Sequence, residues 1–192
     1  MARQGDDYLD LYRDSGALLE GHFLLSSGLH SDRYLQSALV LQDPTKAETL
    51  CRGLAERLPA GIEYVVGPAL GGVVVAYEEA RALGAKAQFT ERKDGTMQLR
   101  RGFHLPEGAR TLIMDDILTT GTSIRECYQA IRDSGAEFVG CGCLVDRSDG
   151  QADVSGLDLY ALVSLEVQAW DPADCPKCAA GEPLEKPGSR GP

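Results

Sequence analysis

Residues 114–123 read MDDILTTGTS, placing two adjacent carboxylates, Asp115 and Asp116, two residues ahead of Thr119, Thr120, Gly121, Thr122 and Ser123. The two halves suit opposite chemistries. A pair of acids at a buried strand end is costly unless donor hydroxyls or a divalent cation neutralise it. A hydroxyl-rich, glycine-containing loop opening a helix offers backbone N–H groups without acceptors and a positive dipole end, which together hold a phosphate. A sugar with vicinal hydroxyls and a phosphate a few ångströms away would meet both. Read alone, TTGTS is also an ordinary Thr-rich helix cap. Neither GxxxxGK[ST] nor GxGxxG occurs, so P-loop and dinucleotide signatures are absent.

Other segments could join that site. GPALGG (67–72) is a glycine-rich loop, and Asp146-Arg147 ends an apolar run. FTERKDGT (89–96) carries the Arg92-Lys93 pair. The elements around them follow a βα rhythm. A helix is expected over 6–20, with Leu9, Tyr12 and Leu19 on its apolar stripe. FLLSSGLHSDRYLQ (23–36) predicts a hairpin or irregular strand pair. Asp43-Pro44 is an N-cap with Pro at the first helical position, starting a helix to about Leu58. Strands are expected at 62–67, 86–90, 110–116, 137–147 and 157–165, with a return arm at 97–103. Helices are expected at 73–84, closed by Gly84, and at 120–135. Short apolar strands alternating with helices predict an α/β fold, its mainly parallel sheet flanked by helices. In such sheets the ligand lies beyond the carboxyl ends of the strands, where these loops converge.

The chain has 192 residues, enough for one domain. Its composition, 43% hydrophobic and 25% charged, suits a soluble globular protein. A net charge of −10 argues against a broad nucleic-acid face. Apolar runs such as VVVA (73–76) are too short for a bilayer, and the first residues hold no apolar stretch, so no membrane contact and a cytoplasmic location are expected.

The order of these motifs carries a resemblance. LIMDDILTTGTS resembles the phosphoribosyl-diphosphate (PRPP) motif of type I phosphoribosyltransferases, and LLSSGLHSDRYLQ resembles the N-terminal hood segment of the orotate phosphoribosyltransferase family. The resemblance spans about residues 15–165. It implies a type I phosphoribosyltransferase fold in a single domain, 1–192, with a hood at about 1–40, a core at about 41–165 and an extended tail at about 171–192. It implies that Asp115 and Asp116 bind the ribose hydroxyls and that Thr119 to Ser123 bind the 5-phosphate. GPALGG is similar to the pyrophosphate loop, where Gly71 and Gly72 remove side chains that would block the leaving group. The segment 89–96 resembles a mobile loop bringing the cations Arg92 and Lys93 to the pyrophosphate. In enterobacterial-type members that loop is longer and holds a further Lys and a His after the pair, neither found here. Arg147, with its bidentate fork, Thr119 and the hood aromatic Tyr34 are the implied orotate contacts. Leu29 departs from the basic residue common after Ser-Gly.

The implied reaction moves phosphoribose from PRPP to orotate in pyrimidine synthesis. Mg2+ is the implied cofactor, arriving through PRPP and waters with no direct protein ligand. The implied partner is a second copy, the mobile loop serving the neighbour's site. Two other readings keep the fold: transfer to a purine or uracil, and a non-catalytic nucleotide-sensing regulator.

Six cysteines remain. Cys51, Cys127, Cys141 and Cys143 fall in expected helices or strands and read as buried neutral thiols. The CPKC at 175–178 has one metal-ligand spacing, but no second pair follows, and His22, His30 and His104 stand apart in sequence. A four-ligand site within one chain is therefore not expected. A dimer-bridging site, a disulfide or a purely structural role stays open, and His30 reads as a turn residue.

Overall fold

The computed structural model describes residues 4–25 and 27–187. Ser26 of the hood motif, residues 1–3, and 188–192 of the expected tail lie outside the described residues. The chain forms two compact units, one running to Val40 and resuming at Glu166, the other spanning Leu41–Leu165.

The second unit is built on a six-stranded sheet in the order β5-β4-β3-β6-β7-β8. Its strands are β3 (Tyr64–Pro68), β4 (Lys86–Lys93), β5 (Thr96–Leu99), β6 (Arg110–Leu118), β7 (Glu137–Asp146) and β8 (Leu159–Ser164). Every neighbouring pair is parallel except β4 and β5, an antiparallel hairpin at one edge. Its helices are α3 (Pro44–Ala55), α4 (Gly71–Leu83) and α5 (Thr122–Ile131). Asp43 caps α3, its side chain accepting from the Thr45 and Lys46 amides. Gly84 closes α4 in the left-handed conformation, where a Cβ would cost energy.

Residues along each strand alternate between two faces. Tyr64, Val66, Ile113 and Cys143 pack with Ile124, Cys127 and Ile131 of α5. On the other face Leu54 of α3 and Met114 lie over Gly142. The four cysteines expected to be buried are buried, and burial pushes each thiol's pKa up, Cys127 and Cys141 to about 12.

The first unit holds α1 (Gln4–Asp14) and a three-stranded antiparallel sheet of β1 (Leu18–Leu24), β2 (His30–Leu35) and β9 (Ala169–Trp170). A short helix, α2 (Ala38–Leu41), ends at its boundary. The expected helix over 6–20 stops at Asp14, because Gly16 turns at φ +64° and the chain enters β1, so Leu19 belongs to a strand. The tail is no extended appendage. Ala169 and Trp170 pair with β2, Glu185 pairs with Phe23 of β1, and α6 (Pro176–Ala179) forms a turn between them. Among the described residues no helix is long and apolar enough to cross a membrane.

Candidate active site

In the sheet of the second unit the chain leaves β3 toward β4 on one side, while β6 leads to β7 on the other. The carboxyl ends of β3 and β6 therefore flank the point where strand order reverses, the crevice where open α/β sheets bind ligands. The loops 69–70 and 119–121 emerge there.

Asp115 and Asp116 lie within β6, which runs two residues beyond them to Leu118, so they take opposite faces of the sheet. Asp115 shares its face with Ile113 and is buried at 8% exposure. Its carboxylate accepts from the Asp116 amide at 3.0 Å. Burial, reinforced by the neighbouring Asp116 charge, holds the Asp115 carboxyl well above the usual carboxylate range. Asp116 is half-buried on the α4 side. A Cβ placed on Gly71 would stand 2.7 Å from its Oδ1, and one on Gly72 would stand 2.9 Å from the Met114 carbonyl. These glycines thus let the loop close against β6 and its acid, a reason different from the clearing of space for a leaving group. The loop is also shorter than the motif suggests, since α4 begins at Gly71. The Ala69–Leu70 peptide bond is cis.

After β6, Thr119 and Thr120 are exposed and Gly121 sits at φ +80° as the residue preceding α5. Gly121 has no side chain to cap α5; the Thr122 amide donates to the Thr120 hydroxyl at 3.4 Å, and the Ser123 and Ile124 amides have no intrahelical acceptor. Thr120 and Thr122 share a hydroxyl hydrogen bond at 2.9 Å. Two residues that sequence reading missed hold this loop. The Asp153 amide donates to the Thr120 carbonyl at 3.1 Å, and a Cβ on Gly121 would stand 2.2 Å from the Asp153 carbonyl. Arg125 bridges the Asp153 carboxylate at 3.0 Å and the Thr122 hydroxyl at 3.5 Å, bringing a guanidinium to the cradle. Neither carries a motif. Both are legible only once the segment 148–157 is seen folded against the loop.

The Arg147 amide donates to the Leu118 carbonyl at 2.9 Å, which sets this half-buried residue beside Thr119. Arg92 and Lys93 end β4 ahead of a two-residue Asp94-Gly95 turn with both φ angles positive, a tight hairpin connection. Arg92 is ion-paired with Glu126 of α5, while Arg100 and Arg101 bind Glu91. Tyr34, in the first unit, packs on Phe23 with ring centroids 6.1 Å apart.

The family described as "Phosphoribosyl transferase domain" matches residues 41–174. An orotate phosphoribosyltransferase of Pelotomaculum thermopropionicum is 50% identical over 186 residues, 96% of this chain and 97% of the relative. One from Acidithiobacillus ferrooxidans is 50% identical over 190 residues, 97% of each. The crystal structure of orotate phosphoribosyltransferase from Aeropyrum pernix superposes with a TM-score of 0.69 at 28% identity, covering 81% of this chain and 92% of that one. With an acid pair and a glycine-preceded helix start at the switch point of its sheet, with the family's pattern over residues 41–174, and with half its residues shared with the Pelotomaculum and Acidithiobacillus relatives, the chain belongs to the phosphoribosyltransferase family.

Proposed function

We infer that the protein transfers phosphoribose from PRPP to N1 of orotate, giving orotidine 5-monophosphate and pyrophosphate, in the cytoplasm. The observation that carries this reading is the composite end of β6: an acid pair, Asp115 buried and Asp116 half-buried, followed closely by the Thr-rich, glycine-preceded start of α5. The two compact units are read as the hood and core of one transferase domain.

Asp115 and Asp116 would accept hydrogen bonds from the ribose hydroxyls, relieving the like-charge pair. Thr119, Thr120, Gly121, Thr122 and Ser123 would hold the 5-phosphate, with Arg125 adding charge. Gly71 and Gly72 let the loop after β3 approach, so its backbone would face the pyrophosphate. Mg2+, carried in on the donor through its oxygens and waters, supplies positive charge to the leaving group when bound, and the surplus negative charge of the acid pair suits its presence. The bond from the anomeric carbon to pyrophosphate oxygen breaks as N1, already deprotonated, supplies the electron pair for the new C–N bond. Arg92 and Lys93 would stabilise the leaving group, which requires Arg92 to exchange Glu126 for the substrate. Arg147 would take the orotate carboxylate, with Thr119 as a further base contact.

A homodimer is part of this reading. Leu70, Val74 and Tyr77 are exposed at 87%, 51% and 66%, and their spacing places them on one face at the start of α4. Such an apolar stripe suits a second copy of the chain.

The acceptor assignment is tested by pyrophosphate release with a panel of bases. Orotate alone is expected to support release, and Arg147→Ala is expected to raise KM for orotate with little change in KM for PRPP. Release with uracil, adenine or hypoxanthine in place of orotate would overturn it.

A further inference from the structure

Four side chains of the hood and tail meet in a cluster that no step of the transfer uses. His22 on β1, His30 on β2, and Cys175 and Cys178 around α6 each offer one ligand atom, and these atoms all lie within 4.8 Å of one another. His22 Nε2 is 3.0 Å from His30 Nδ1, 3.4 Å from Cys175 Sγ and 3.7 Å from Cys178 Sγ. Cys178 Sγ is 3.2 Å from His30 Nδ1. Ligands on the corners of a tetrahedron, with Zn–S about 2.3 Å and Zn–N about 2.0 Å, stand about 3.3–3.8 Å apart.

Hydrogen bonding alone accounts poorly for this convergence. His22 Nδ1 lies 3.0 Å from the Glu182 carbonyl, which can only accept, so Nδ1 carries the ring proton. Nε2 then presents a single lone pair, yet three potential donors crowd it within 3.7 Å. A cation at their centre uses that lone pair and the other three at once. The Glu182 carbonyl also supplies the outer hydrogen bond that orients a ligating histidine.

We propose that His22 Nε2, His30 Nδ1, Cys175 Sγ and Cys178 Sγ bind a structural zinc ion. Two thiols lose their protons on binding, so the thiolates balance the charge of Zn2+ and leave a neutral unit. That neutrality suits the burial of His22, His30 and Cys175, which are 4%, 5% and 3% exposed. Tetrahedral S2N2 coordination selects zinc, and four protein ligands leave no open position for catalysis. Cys178 is exposed and gives the ion a way in.

The site staples the tail to the hood. Without it, residues 168–187 are tied to β1 and β2 by the two-residue strand β9, the Glu185 bonds to Leu24 and His22, and a few side-chain bonds such as Ser31 to Gln168. A three-stranded sheet of this size has little core of its own, the circumstance in which small folds recruit metals.

The test uses the full chain, purified without chelator, loaded with excess Zn2+ and freed of unbound metal by gel filtration. One zinc per chain is expected. Cobalt loading should give the visible bands of tetrahedral Co2+ together with sulfur-to-cobalt charge transfer. Cys178→Ser, at an exposed position, should lose both while His104→Ala keeps both, and chelation of the wild type should lower its Tm. Retention of no metal by the wild type, a Cys175–Cys178 disulfide in the purified protein, or full zinc in Cys178→Ser would overturn the proposal. These readouts are independent of phosphoribosyl transfer, so either conclusion can fail without the other.

Discussion

Asp115 is the residue at which function and stability pull apart. Its folded pKa is raised, chiefly by burial, so the native state holds that proton more tightly than the unfolded chain does. Stability from this group is therefore greatest at acid pH and falls as pH climbs from the ordinary carboxylate range to the raised native value. Asp115→Asn removes the penalty and can keep the acceptor for the Asp116 amide. It should raise the Tm of the ligand-free protein by a few degrees at neutral pH while impairing PRPP use, and an unchanged or lower Tm would count against the electrostatic cost. Asp116→Asn removes a charged acceptor, a loss of about 1.5–3 kcal/mol, which is roughly 10- to 150-fold in kcat/KM for PRPP. Gly71→Ala should act through the same carboxylate, because the new Cβ would stand 2.7 Å from its Oδ1. At this scale the candidate donor segment was legible, since MDDILTTGTS is contiguous in sequence. His22 and His30 were not, because their meeting depends on hairpin register: Leu24 pairs with His30, and an irregularity between Glu20 and Phe23 sets the position of His22.

Among the elements, α5 and the β4–β5 hairpin carry the clearest expectations. The start of α5 depends on Gly121, whose φ of +80° and closeness to the Asp153 carbonyl leave no room for a side chain. Gly121→Ala should therefore displace the loop and weaken PRPP binding more than it lowers Tm, as isothermal titration and thermal melts would reveal. The hairpin ends in a tight two-residue turn, so Arg92 and Lys93 are presented on a short arm. Arg92→Ala should lower kcat by about 10²-fold if that cation acts on the leaving group, and a change confined to KM would contradict the role. The sheet and its helices could be read from apolar runs and from the Asp43 and Gly84 caps. The two-residue β9 and the folded tail could not: they are held by long-range pairing and by the four-ligand cluster, which leave no periodic signal in the sequence.

At the scale of the whole molecule, the proposed pairing of two chains at the α4 stripe would let one chain's arm serve its partner's site. Tyr77→Asp should convert the dimer to monomer by light scattering. If the arm acts in trans, mixing Arg92→Ala with Asp116→Asn subunits should restore activity above either parent, because a mixed dimer holds one intact site; no recovery after verified exchange would place the arm in cis. The most direct test of the central claim is the loss of orotate absorbance on mixing protein, orotate, PRPP and Mg2+. The expected result is loss matched mole for mole by pyrophosphate and reversed when pyrophosphate is added in excess. Unchanged orotate absorbance with folded, metal-replete protein would contradict it.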